Sequence, residues 1–220
     1  MALNRNGQPG RKRAVPCRPD LTANSLADLP EAERALSLAD PTLGRLISGQ
    51  SARWPTRSTE EPIWGLIRII MAQQVSTQVA CRLAKRALAA YPSLRGSRSP
   101  DVTPDATALR AFGLTTRRAE CCVAVLAQSE SLLARVRSGQ SWEDTLVGIK
   151  GVGPWTVTVF RIMVLRDPDV LPIGDAALRR AITSAYGRNA RADRLAPRWR
   201  PYRSVACWYL WRSLGNEQLG

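Results

Sequence analysis

Apolar positions recur at three- and four-residue spacing along most of the chain, the mark of helices with one buried face. Ile63, Leu66, Ile67, Ile70 and Met71 predict a buried helix over about 60–73, opened by a capping box at Ser58 and Glu61 with Pro62 in its first turn. Val79, Leu83, Ala87 and Leu88 share one face of a second, over about 76–90. Two short helices are expected before these, at 30–38 and 41–49, the latter opened by Asp40-Pro41. Thr103-Pro104-Asp105 opens another that Gly113 ends, and helices near 115–128 and 130–137 follow. Ser141-Trp142-Glu143-Asp144 starts one at about 141–149; Gly153–Leu165, 174–186 (closed by Gly187) and 201–214 complete the set. Strand-type alternation between turn signals is nearly absent. The pattern predicts an all-α fold of about ten helices of modest length.

The first twenty residues break the pattern. They are rich in Pro, Gly and Arg and predict a disordered basic tail over 1–20. The chain carries 32 Lys+Arg against 18 Asp+Glu, a net charge of +14, and +10 of it remains once the tail is set aside. A folded part that basic points to a polyanionic partner, with nucleic acid the first candidate. Only three of the cations are lysines, which fits phosphate recognition by guanidinium forks and fits a GC-rich genome equally well. Histidine is absent, so the commonest general base and metal ligand are both excluded. The five cysteines form no CxxC pair, and adjacent Cys121-Cys122 reads as core packing in a reducing compartment. Arg68 interrupts the best apolar run and no signal peptide is visible, which predicts a soluble, cytoplasmic and nucleoid-associated protein.

The most informative stretch runs from Leu146 to Thr156, between two expected helices. Gly151 and Gly153 flank a single apolar residue, Val152, at a sharp turn. Glycine there permits positive φ and close approach of another backbone, and the helix that follows begins with free amides suited to phosphate. An ordinary helix–turn–helix corner uses the same glycines. With Ile149 before the turn and Val157 and Phe160 after it, the segment resembles the helix-hairpin-helix of DNA-binding proteins. Some twenty residues on lies Asp169-Val-Leu-Pro-Ile-Gly-Asp175. Hairpin followed by aspartate at that distance resembles the helix-hairpin-helix–Gly/Pro–Asp superfamily of DNA glycosylases. The segment 69–76, containing Gln73-Gln74-Val75-Ser76, is similar to the helix–turn that precedes the hairpin there. Residues 198–211 are similar to the C-terminal helix of the 3-methyladenine DNA glycosylase II (AlkA) branch. Together the likeness covers roughly 30–214.

The resemblance implies two helical lobes with a cleft between them: 62–167, carrying the hairpin at 146–156, and 21–61 joined to 168–220. It implies Asp175 as catalytic carboxylate, Trp155, Trp211 and Trp64 as walls of the base pocket, and Gln74 as the wedge that fills the gap left by a flipped base. Phosphate would be gripped at Gly151, Lys150 and Gly153, and the carbonyls of Val147, Ile149 and Val152 would hold a monovalent cation. Trp155 stands where lyase-competent relatives carry a nucleophilic lysine, and the C-terminal region has only Cys207, which excludes strand cleavage and an iron–sulfur cluster. The chain is also too short for the N-terminal sheet domain of larger AlkA proteins.

The chemistry agrees. Base excision leaves positive charge on the deoxyribose, which a nearby carboxylate stabilises. An N-alkylated purine already carries a positive charge and leaves without a general acid, so one aspartate and no histidine suffice, with no catalytic cofactor. Tryptophan faces attract such a cationic ring. Asp175 also suits a plain helix cap, Gln74 a plain helix-end glutamine, and the six arginines within 188–203 either a DNA-facing stripe or a solvated helix face. The expectation is a monomeric, monofunctional glycosylase acting on alkylated bases in double-stranded DNA. A non-catalytic hairpin DNA-binding protein, or a glycosylase for neutral deaminated or etheno bases, are the alternatives.

Overall fold

A computed structural model describes residues 28–55, 61–95 and 103–215; the expected basic tail, Cys17 and Ser58 of the expected capping box lie outside them. Among the described residues the chain is helical throughout and has no strand. Helices α1 (Leu29–Ala39) and α2 (Pro41–Ser48) meet at Asp40, whose side chain accepts from Thr42 N and Leu43 N at the start of α2. Next come α3 (Pro62–Ala72), α4 (Thr77–Ala90) and a 3-10 turn at Pro92–Arg95. The middle of the chain forms α5 (Ala106–Ala111), α6 (Thr116–Ala127), α7 (Ser129–Arg137), α8 (Trp142–Leu146) and α9 (Pro154–Met163). Finally α10 (Ala176–Tyr186), α11 (Ala192–Leu195), a 3-10 turn at Ala196–Trp199 and α12 (Arg203–Arg212) close the fold.

Packing sorts these elements into two groups. In one, α3 lies against α4, α6 and α9, with α5, α7 and α8 around it. In the other, α12 lies against α2, α10 and α1. The central helix of each group is apolar on nearly every side, as a helix surrounded by others must be. Nine of the eleven residues of α3 are buried, and α12 is buried from Ser204 to Trp211. Burying the polar atoms that remain requires partners. Asp40 takes Tyr186 OH at 2.9 Å and Trp199 Nε1 at 3.0 Å, and Glu33 takes Tyr209 OH and Arg53.

Several boundaries differ from the sequence pattern. The helix expected at 141–149 stops at Leu146, because Val147 turns extended and Gly148 takes φ +93°. The helix expected from 174 begins at Ala176, with Asp175 as its N-cap. The segment 192–199, to which the pattern assigns no helix, forms α11 and a 3-10 turn. Glu61 precedes α3 as its cap residue without making a side-chain cap bond.

Candidate active site

Seven residues, Val147–Gly153, join α8 to α9. The turn closes with Val152 N donating to Ile149 O at 3.0 Å. The positive φ values fall at Gly148 (+93°) and Gly151 (+97°), whereas Gly153 has φ −94° and serves as N-cap of α9. Gly151 is required twice over: an ideal Cβ there would stand 2.8 Å from Cys121 Sγ and 2.9 Å from its Cβ, so the hairpin rests directly on α6. At Gly153 a Cβ would meet nothing within 4 Å, so the space beside the cap of α9 is open. Pro154 brings no N–H, leaving the amides of Trp155 and Thr156 at that helix end. Lys150 and Val147 are exposed and Val152 is half-buried.

Asp175 is reached by a loop that is clamped along its length. Asp167 accepts from Arg161 Nη2 at 2.6 Å, and Asp169 accepts from Arg203 Nε at 2.6 Å and Nη2 at 2.9 Å. Ser204 Oγ accepts from Val170 N, and Asp175 N donates to Pro172 O, both at 2.9 Å. Asp167 and Asp169 are therefore the fastenings of this segment. Burial pushes the Asp169 carboxyl up, but hydrogen bonds and charge from Arg203 outweigh it and hold the group below its ordinary value.

The Asp175 carboxylate accepts three N–H donors. Oδ1 takes Leu178 N at 2.6 Å and Trp211 Nε1 at 2.9 Å; Oδ2 takes Trp155 Nε1 at 2.8 Å. The helix-cap role and a place in a site thus coexist in one side chain. Only 8% of Asp175 is exposed, and that face opens on a cavity of about 410 Å3 between the two helix groups. Trp155 and Trp211 stand in its wall together with Val159 and Met163 of α9. Trp64 does not: it is buried in the core on α3, 7% exposed, away from the lining. Behind the carboxylate, burial and the Asp175 charge push the fully buried Cys207 thiol well above its usual value.

Among the wall residues that escaped sequence reasoning are Arg68, Cys81 and Arg180. Arg180 was legible once Asp175 is placed as N-cap, since Ala177 and Arg180 are three apart and share the cavity-facing side of α10. Arg68 and Cys81 carry no such signal.

Between α3 and α4 the chain turns at Gln74, an exposed residue with φ +58°. Gln73 Nε2 donates to Thr156 Oγ1 at 3.0 Å, tying this turn to the start of α9. A second recess, of about 280 Å3, lies between the turn and the hairpin and is lined by Gln74, Arg117, Gly151 and Gly153. The arginines of 188–203 do not form one free stripe: Arg203 holds Asp169, Arg191 pairs with Asp193 at 2.9 Å, and Arg198 lies 4.0 Å from Asp40.

No protein-family model matches the chain. A curated relative from Mycobacterium tuberculosis, named a probable bifunctional transcriptional activator/DNA repair enzyme AlkA, is 31% identical over 190 residues; these cover 80% of this chain and 38% of the relative. The chain thus spans under two-fifths of that relative's length. DNA-3-methyladenine glycosylase 1 of Schizosaccharomyces pombe is 27% identical over 211 residues, covering 86% of this chain and 89% of its own. Among solved structures, the 3-methyladenine DNA glycosylase (Mag1) of the same yeast, in complex with abasic DNA, superposes with a TM-score of 0.70 at 25% identity, covering 84% of this chain and 97% of that one. With the hairpin, the aspartate twenty residues beyond its Trp155 and the aromatic cavity between two helical groups, these likenesses agree: in sequence and in fold the chain is similar to the AlkA/Mag1-type 3-methyladenine DNA glycosylases.

Proposed function

We propose that the protein is a monofunctional DNA glycosylase that removes alkylated purines from double-stranded DNA and starts base excision repair. The observation that carries this is the Asp175 carboxylate, pinned by two indole N–H groups at 2.8 and 2.9 Å in the wall of a cavity large enough for a base. A flipped 3-methyladenine would enter against Trp155 and Trp211, whose π faces favour a cationic ring. As the N-glycosidic bond lengthens, the base departs neutral and positive charge builds on the sugar. Asp175, fixed in direction before the reaction, stabilises that charge without having to reorganise. It then takes a proton from the attacking water. Gln74 would fill the gap in the stack, and the amides of Gly151, Gly153 and Trp155, with Lys150, would grip the backbone phosphates.

The test is release of methylated bases from alkylated duplex DNA. Asp175→Asn should lower release by on the order of a hundredfold or more while DNA binding survives. The asparagine oxygen can keep Leu178 N and Trp211 Nε1, but its NH2 then faces the Trp155 donor, a modest local cost of about 1 kcal/mol. A wild-type protein that releases no base from any lesion would sink the enzyme reading and leave a DNA-binding protein.

A monovalent cation at the hairpin, which the family resemblance implies, would be held here by the carbonyls of Val147, Ile149 and Val152. Neutral carbonyl oxygens of one turn would suit a hard cation of low charge, which would supply positive charge to the hairpin's phosphate-binding face. DNA affinity should weaken when potassium is replaced by tetramethylammonium at constant ionic strength. One observation favours a second substrate class: Arg68 and Arg180 stand in the same cavity wall, and guanidinium donors suit a neutral base with ring acceptors. Release of hypoxanthine measured against release of 3-methyladenine separates the two.

A further inference from the structure

Arg118 is 8% exposed and lies in the first turn of α6, where a cation opposes the dipole of its own helix. Its guanidinium reaches across to the end of α3: Nη1 donates to Met71 O and to Gln73 O, each at 2.9 Å. These belong to the carbonyls a helix leaves without partners at its C-terminus. The third contact has Nε donating to Thr115 Oγ1 at 3.2 Å. Thr115 is the N-cap of α6, yet its hydroxyl makes no cap bond. Helix α6 thus gives up a favourable cap and accepts an unfavourable charge, and both concessions serve the neighbouring turn. That turn holds Gln74 at φ +58°, a conformation unfavourable for a non-glycine residue and kept only where the surroundings fix it. Gln73 Nε2 to Thr156 Oγ1 secures the same turn from the other side.

We infer that Arg118 is a positioning residue for base extrusion: it fixes the Gln73–Gln74 turn so that the Gln74 side chain enters the stack in register with the hairpin. The inference rests on the reading of Gln74 as the wedge. It separates two jobs of α6, which supports the hairpin through Cys121 and the wedge through Arg118.

The experiment compares Arg118→Gln, Arg118→Lys, Gln74→Ala and the Arg118→Gln/Gln74→Ala double variant. Extrusion is read by 2-aminopurine fluorescence beside the lesion and release by single-turnover kinetics. Arg118→Gln should slow release of a paired lesion by on the order of tenfold to a hundredfold and reduce the fluorescence rise. The deficit should shrink to about twofold when the lesion lies opposite an abasic gap, where less stacking opposes extrusion. The lysine variant, which keeps one donor and the charge, should recover part of the loss, and the double variant should be no slower than Gln74→Ala. If Arg118→Gln does not fold, Thr115→Val loosens the same guanidinium and carries the comparison. Equal deficits on paired and gapped substrates, or additive losses in the double variant, overturn the inference. A Gln74→Ala protein with an undiminished fluorescence rise overturns the wedge reading along with it, whereas a diminished rise in Gln74→Ala and none in Arg118→Gln overturns the positioning role alone.

Discussion

A carboxylate at a helix N-cap has one oxygen committed to the backbone, and at Asp175 the second is committed as well, to the indole of Trp155. Trp155 is the only one of these partners with a substantially exposed ring, at 38%, so its replacement disturbs direction more than packing. Trp155→Phe keeps an aromatic face and removes the Nε1 donor. Release at saturating enzyme should fall by on the order of tenfold while the dissociation constant for DNA changes by less than about twofold. Single-turnover release and fluorescence anisotropy measure the two separately, and weaker binding with release at saturation unchanged would place Trp155 in binding only. The buried cysteines behave in the opposite sense: burial pushes the Cys122 thiol up to about 12, and Cys121 is raised as well, so both are inert packing at neutral pH.

At the scale of elements, the hairpin depends on two glycines for different reasons. Gly148 needs only its positive φ, since a Cβ there would meet nothing within 4 Å. Gly151 needs the φ and also the space, because Cys121 occupies the position of any Cβ. Gly148→Ala should cost about 1–2 kcal/mol of stability. Gly151→Ala should cost more by about 1–3 kcal/mol, and lose DNA affinity as the hairpin lifts from α6. Adding Cys121→Ala to Gly151→Ala should recover the steric part and leave the backbone part. Urea denaturation of the four proteins measures both; equal stabilities for Gly148→Ala and Gly151→Ala would show that the hairpin does not bear on α6. The motif was readable because its spacing is local, but the contact that makes Gly151 indispensable joins residues 30 positions apart.

For the whole molecule, the segment leading to Asp175 is fastened to α12 by Asp169 and Arg203. The Asp169 carboxyl is held below its ordinary value, so its contribution to stability is complete above the ordinary aspartate range. That contribution is lost as pH falls through the lowered value. Thermal melting of Asp169→Asn should lie below wild type from neutral pH down to about 4, and the two curves should converge under stronger acid. A gap that stays constant to the lowest pH would assign the loss to packing. No helix among the described residues is long and apolar enough to cross a membrane. Helical periodicity was legible along the chain because it depends on burial of one face, and α3 and α9 appear within a few residues of where it puts them. The place of Asp175 as a helix cap some twenty residues past the hairpin was legible because cap chemistry and spacing are both local. The sequence by itself therefore determined the helices, the hairpin, the aspartate and the positive charge. Which tryptophans face the cavity, which carboxylates are clamps, and that Arg118 serves the end of α3 were decided only by tertiary structure. Those assignments are contacts between helices distant in the chain, and local periodicity carries no information about which side chains meet across a packed interface.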